Sequence, residues 1–228
     1  MVKEGDFAEV DFTGKTDGAV FETTLEAEAK KAGFNDANRV FKPVLVVAGK
    51  KMVVPGLDGE ILKSGEGDSK TITISPEQAF GPRNQEMVRL ISLSKFQEQG
   101  ITPAPGMTLE IDNMPARIVS TEGGRVKVDF NHPLAGKTVE YSFKINKVYS
   151  DAASKAGAAA KNLFSGTDVT AKVDGSTARF SVPSNVRKDA PFLEQKYRVI
   201  ELLLAFAPEI KKVVFEEEYA VEQPDAKA

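Results

Sequence analysis

The sequence predicts an α+β protein, and three observations carry that expectation. Short runs with strand-like alternation recur along most of the chain, separated by Gly and Asp-Gly turn signals. The helical segments between them are few and mostly short, too sparse for a helix bundle. An alanine-rich stretch at 150–161 divides a long strand-dominated part from a shorter mixed one.

Taken in order, FAEVDFT (7–13) places Ala8, Val10 and Phe12 on one face, as a half-buried strand does. Gly14 and Asp17-Gly18 signal turns, and AVFETT (19–24) follows as a second strand. Residues 25–32 suit a short helix ending near Gly33, 34–42 a loop, and 43–49 a strand. VVPGLDGEILKSGEGD (53–68) has the grammar of a short helix. Pro55 fits its first position, where the missing N–H costs nothing. Leu57 and Ile61 share a face; Asp58 and Glu60 sit near the positive end of the dipole and Lys63 near the negative end. Gly65 is the expected C-terminal stop. KTITI (70–74) is a strand, and SPEQAFG (75–81) one turn capped by Ser75, with Gln78 closing a capping box.

From 86 the character changes. EMVRLI reads as a strand, SLSKFQEQ as a short capped helix and TPAPG as a rigid loop. Strands at 107–111, 116–120 and 125–129 follow, the last two joined at Gly123-Gly124. NHPLAG (131–136) then leads into the strand VEYSFKINKV (139–148). The segment SDAASKAGAAAK is either a weak helix or a linker. Beyond it come a strand (168–173), an Asp174-Gly175 turn, a strand (176–182), a helix (190–206) and a strand (211–220). That helix carries Leu193, Val199, Ile200, Leu202, Leu203 and Leu204 over more than one face. Either it is buried on two sides within its own domain, or it pairs with a second copy.

Composition narrows the chemistry. The 228 residues carry 30 basic and 33 acidic side chains, a net charge of −3, without the basic patch that nucleic acid requires. There is no cysteine, which excludes thiolate catalysis, disulfides and cysteine metal sites; a single histidine makes histidine zinc sites improbable. The tail EEEYAVEQPDAKA adds neither residue type, so no metal and no cofactor are expected. The charged start MVKEGDFAEV has no apolar core of a secretory signal, and no run approaches the roughly 20 apolar residues of a membrane span. A cytoplasmic protein with no membrane partner is expected.

Four motifs in order, FTGKTDGAVFETT, VVPGLDGEIL, SPEQAFG and NHPLAG, resemble those of FKBP-type peptidyl-prolyl cis-trans isomerases. The insert before NHPLAG makes the chain similar to the SlyD-like branch, and the C-terminal segment to the long archaeal type. The resemblance implies an FKBP-like antiparallel sheet wrapped on a short helix, interrupted by a small β-rich domain and followed by a C-terminal α+β domain. Its boundaries would be 1–83 with 131–150, then 84–130, then 151–228. It also implies isomerase and folding-chaperone activity on X–Pro bonds, with unfolded or proline-containing polypeptides as partners. By the same resemblance the prolyl pocket would use Phe12, Phe21, Glu22, Val53, Val54, Leu57, Phe80 and Tyr141, with Val44 and Leu134 on its rim. The Val54 N–H would hold the substrate carbonyl. Phe12 and Phe80 stand where relatives commonly carry tyrosines, and Glu22 where they carry aspartate. The rival reading is a non-enzymatic holdase with a degenerate pocket, and a third is an adaptor assembled through the C-terminal domain.

His132, the lone histidine, falls where the chain would return from the insert, so it reads as a crossover residue rather than a base; rotation about a peptide bond transfers no proton. Within the insert, Met87, Leu93, Phe96 and Ile101 are expected to bind substrate, with Met107 and the strand aliphatics as core.

Overall fold

The computed structural model describes residues 1–34 and 40–219, which fall into two compact units: Met1–Thr73 with Glu140–Ala228, and Ile74–Val139. The middle of the expected 34–42 loop and the tail beyond 219 lie outside the described residues. Along the chain run β1 (Phe7–Thr16), β2 (Ala19–Thr23), α1 (Glu26–Lys31), β3 (Val44–Val47), α2 (Pro55–Leu62) and β4 (Ser69–Ile74). Then come β5 (Val88–Ser92), α3 (Leu93–Glu98), β6 (Thr108–Ile111), β7 (Met114–Glu122) and β8 (Arg125–Asp129). The chain closes with β9 (Val139–Tyr149), α4 (Ala152–Leu163), β10 (Thr170–Asp174), β11 (Thr177–Val182), α5 (Ala190–Phe206) and β12 (Lys212–Glu217). The α+β expectation holds.

β1 organises the first unit. It pairs antiparallel with β2 and β3 along one edge and with β9 along the other, and β9 pairs in turn with β4. Its pleat puts Ala8, Val10 and Phe12 on one face, as the alternation predicted, and Phe7 and Glu9 on the other. Both faces are covered, for Phe7, Ala8 and Val10 have no exposed surface. Leu57 and Ile61 of α2 are likewise fully buried. α2 opens with Pro55 as expected, but it ends without the glycine stop. Ser64 terminates it, its hydroxyl donating to the Glu60 carbonyl, 2.8 Å, and its N–H to that of Ile61. The capping box at Ser75 does not form either; Pro76–Gln78 is a single 3-10 turn closed by the Gln78 N–H on the Ser75 carbonyl.

The alanine-rich stretch is a helix, not a linker. Asp151 caps α4 by accepting from the Ser154 N–H at 2.9 Å. Ala156, Ala158, Ala159 and Ala160 are buried, their small size admitting close approach of neighbouring backbone. β10, β11 and β12 form a second sheet in which β11 and β12 run parallel, the crossover between them supplied by α5. α5 buries one stripe, Phe192, Val199 and Leu203, and leaves Leu193, Tyr197 and Leu204 exposed; burial on two sides is not what its aliphatics mean. These elements share one core with Phe7, Leu45, Val47 and Tyr149 of the first sheet. Residue 151 therefore marks the start of an element rather than the edge of a core.

In the second unit β5, β8, β7 and β6 form an antiparallel sheet over Phe96, Ala116, Ile118, Val126, Val128 and Phe130. The strand aliphatics Ile118, Val126 and Val128 are core as expected, but Phe96 and Met107 exchange places. Phe96 is core, with Met87, Leu93 and Ile101 packed half-buried against it, while Leu90, Met107, Met114 and Val119 are exposed. α3 is a turn and a half long; Phe96 is its buried side chain, with Leu93 one turn earlier on the same face. At the base of this unit Arg83 pairs with Asp129 at 2.6 Å, and the Asn131 amide bonds both Asn84 and Asp129. Burial alone would raise the Asp129 carboxyl; Asn131 and Arg83 outweigh it and hold the group below its ordinary range.

Between sheet and α4, the Tyr149 hydroxyl donates to Glu9 at 3.0 Å, and Lys161 lies 3.7 Å from the same oxygen. Burial, with the Glu9 carboxylate, pushes the Tyr149 phenol up to about 12. The folded state thus keeps a proton that the unfolded chain loses near pH 10, so this contribution is present below pH 10 and is lost as pH rises to 12. Urea unfolding of wild type and Tyr149→Phe between pH 9 and 12 is expected to show a flatter decline in the variant.

Candidate active site

Cross-strand pairing brings four of the expected residues together. On β9, Phe143 stands opposite Phe12 and Tyr141 opposite Gly14, so Phe12 and Tyr141 share a face; their rings meet edge-to-face at 5.9 Å. On the other side of β1, Gly14 pairs with Glu22, whereas Lys15 pairs with Val20, so Phe21 is the extra residue of a β-bulge. Neighbours in a regular strand point to opposite faces. The bulge releases Phe21 from that rule, and both Phe21 and Glu22 reach Tyr141. The Phe21 ring lies edge-to-face on it, with centroids 5.8 Å apart. The Tyr141 hydroxyl donates to the Glu22 carboxylate. Burial, reinforced by that carboxylate, holds the Tyr141 phenol far above its ordinary range, so it remains a donor.

This pair alters the meaning of two departures from the family pattern. Phe12 has no hydroxyl to hold the neighbouring carboxylate; the hydroxyl comes from Tyr141 instead. Tyr141 and Glu22 sit on strands that flank β1, two strand spacings or about 10 Å apart. The extra methylene of glutamate helps to span that distance. The polar part of the cluster is therefore a hydroxyl and a carboxylate joined across β1.

Gly14 is a site residue that turn grammar conceals. It is not at a turn but within β1, beneath both rings. A Cβ there would sit 2.6 Å from Phe21 Cζ and 3.1 Å from Tyr141 Cε1. Behind the cluster, the Phe12 N–H donates to Thr24 Oγ1, Thr24 donates to Asp11, and the hydroxyls of Thr13 and Thr23 meet at 2.8 Å. This buried lattice joins β1 to the end of β2 and fixes Phe12.

The remaining expected residues divide. Val53 and Val54 are half-buried at the entrance to α2, and Leu57 is fully buried in its first turn. Val44 begins β3 opposite Val10, 39% exposed, on the same face as the cluster. Phe80 belongs to the second unit, where its ring stacks on His132 at 4.7 Å and 3° between planes. His132 Nδ1 accepts the Leu134 N–H at 3.1 Å, in a turn closed by the Ala135 N–H on the His132 carbonyl. The histidine is thus part of a turn, with a ring partner that its sequence neighbours do not disclose. Leu134 is half-buried beside it.

The first unit's cluster offers apolar ring faces, a hydroxyl and a carboxylate already bonded to it. Among the described residues no group of three His, Cys, Asp or Glu side chains could hold a metal ion. Such a surface can strip water from a bound group and fix its orientation; it is not built to exchange protons.

Comparison with known proteins agrees with this class of site. The family model described as FKBP-type peptidyl-prolyl cis-trans isomerase matches residues 1–91, and that described as FKBP26, IF domain, matches residues 89–134. The short-type peptidyl-prolyl cis-trans isomerase of Methanocaldococcus jannaschii is 30% identical over 65% of this chain and 94% of its own length. The FKBP-type isomerase SlyD of Helicobacter pylori is 30% identical over 53% of this chain and 69% of its own. A crystal structure of the three FKBP domains of wheat FKBP73 is more distant: TM-score 0.35, 18% identity, 65% of this chain and 40% of that one. The chain belongs to the FKBP-type peptidyl-prolyl cis-trans isomerase family.

Gly14→Ala is expected to force the Phe21 and Tyr141 rings apart. The overpacking should cost about 1–3 kcal/mol in thermal or urea unfolding, and the aromatic proton shifts of both rings should move.

Proposed function

We propose that this chain catalyses cis–trans isomerisation of X–Pro bonds in unfolded or partly folded polypeptides. The observation that carries the reading is the Phe12–Phe21–Glu22–Tyr141 cluster, assembled on one sheet face in a chain of this family. The rotational barrier of about 20 kcal/mol comes from amide resonance. Twisting the bond removes that resonance and reduces the carbonyl's charge separation, so water favours the planar ground state over the transition state. An apolar wall that replaces water around the proline lowers the relative cost of twisting. A backbone donor at Val54 would hold the carbonyl, and Leu57 would close the floor. The Glu22 carboxylate, which accepts from Tyr141, would stand beside the bound carbonyl on the family resemblance.

The domain reading that goes with this function assigns 1–83 with 131–150 to isomerisation, 84–130 to chaperone capture and 151–228 to the C-terminal part. Capture of unfolded segments is supported by the exposed Leu90, Met107, Met114 and Val119 on the insert sheet. Raising the local concentration of prolyl bonds needs no further chemistry. Pairing of two copies is supported by Leu193, Tyr197 and Leu204, exposed along α5. Light scattering behind size exclusion at micromolar concentration is expected to give twice the monomer mass, and a monomer alone would refute pairing. No helix of the described residues is long and apolar enough to cross a membrane. A cytoplasmic setting, expected from the charged start MVKEGDFAEV and the lack of a long apolar run, completes the reading.

The test is NMR exchange of a short Ala-Leu-Pro-Phe peptide at catalytic protein concentration. Wild type is expected to accelerate exchange. Phe12→Ala should lower kcat/KM more than Tyr141→Phe, for which a fall of about tenfold, or ~1.4 kcal/mol, is expected. No acceleration by the wild type, with aggregation of an unfolded client still suppressed, would put the holdase reading in its place.

A further inference from the structure

Asp58 carries a role that its place in the sequence, as an acidic residue near a helix start, does not suggest. It is 4% exposed. Its carboxylate faces back from the first turn of α2 to the loop that follows β3, where Oδ1 accepts from the Gly49 N–H and Oδ2 from the Lys51 N–H, both at 2.8 Å. That loop holds two residues in the left-handed region, Gly49 at φ +78° and Lys51 at φ +55°. A lysine there is strained and persists only where its surroundings impose the conformation. The imposition is visible, because every amide from Ala48 to Lys51 has a partner. Ala48 donates to the Asp6 carbonyl and Lys50 to that of Val47, while Gly49 and Lys51 donate to Asp58. The Asp58 N–H in turn donates to the Val54 carbonyl at 3.0 Å.

The Asp58 carboxylate thus holds the loop up to Lys51, while its backbone N–H makes the first helical bond of α2, to the Val54 carbonyl on the other side of the short span that follows Lys51. We infer that Asp58 is a positioning residue for the isomerase site, fixing the direction of the Val54 N–H. This rests on the reading of that N–H as the donor to the substrate carbonyl. A charged acceptor suits the task, because bonds from two N–H groups to one carboxylate are shorter and stronger than those to a neutral amide. An isosteric asparagine keeps the shape but turns an NH2 toward one of the two donors, so one bond becomes a repulsion.

The experiment compares the full chain with D58N by NMR exchange on the Ala-Leu-Pro-Phe peptide, with Val54 amide shifts followed during peptide titration. A donor that holds the carbonyl in ground and transition states alike contributes uniform binding. Misdirecting it should raise KM about tenfold and leave kcat per folded molecule within about twofold. The Val54 amide should lose its response at peptide concentrations that saturate wild type. A merely structural role would lower the folded fraction, and with it apparent kcat, at unchanged KM. If D58N does not fold, D58E, which keeps the charge but cannot satisfy both donors equally, should show the same KM shift at about threefold. Folded D58N or D58E with wild-type KM and an intact Val54 response would overturn the inference. An inactive wild type whose Val54 amide ignores the peptide would instead overturn the isomerase reading, and this role with it.

Discussion

A strand buried on both faces has nowhere to place a misfit, and β1 is such a strand. Its two edges are paired, to β2 and β3 on one side and β9 on the other, while its faces meet two different environments. Ala8, Val10 and Phe12 look toward the aromatic cluster. Phe7 enters the core shared with α4, α5 and the second sheet, and Glu9 is held there by Tyr149. A one-residue slip would exchange these sets, sending Glu9 into the apolar face and Phe12 out of it. Register in β1 is therefore fixed from both sides, and the site inherits that fixity.

Two irregularities build the aromatic cluster on this rigid strand. One is an absence of side chain at Gly14, which lets Phe21 and Tyr141 lie over the backbone. The other is the bulge at Phe21, which aims two consecutive residues at one partner. Neither forms an interaction of its own. They permit the ring contacts and the Tyr141–Glu22 bond, and those contacts in turn hold the bulge. The hydroxyl that meets Glu22 comes from β9, on the far side of β1 from the strand that carries the carboxylate.

The β3–α2 connection obeys the same economy of means. Strain at Lys51 and the buried charge of Asp58 would each be unfavourable alone. Together they close on each other, for the carboxylate meets the amides that the strained backbone turns inward. The helix N-terminus adds its favourable field for a carboxylate in the first turn. The second unit contains a comparable lock in Arg83, Asp129 and Asn131, beside the two ends of its four-stranded sheet segment.

By itself the sequence determined the elements and their order, because local signals set them: alternation for β1, Pro55 for the start of α2, Gly123-Gly124 for the turn between β7 and β8. It also determined the family, through motifs whose order is informative, and with it most of the residues that meet at the cluster. Tertiary structure alone decided which of these residues touch. Glu22 and Tyr141 lie 119 positions apart, and only the bulge and the pairing of β1 with β9 join them. It decided that Phe96 is core and Met107 surface, since a six-residue helix and a hairpin edge cannot be told apart by hydrophobicity. It decided too that Asp58 is a clamp, because a carboxylate's partners are backbone amides of another segment, and backbone amides have no signature in sequence.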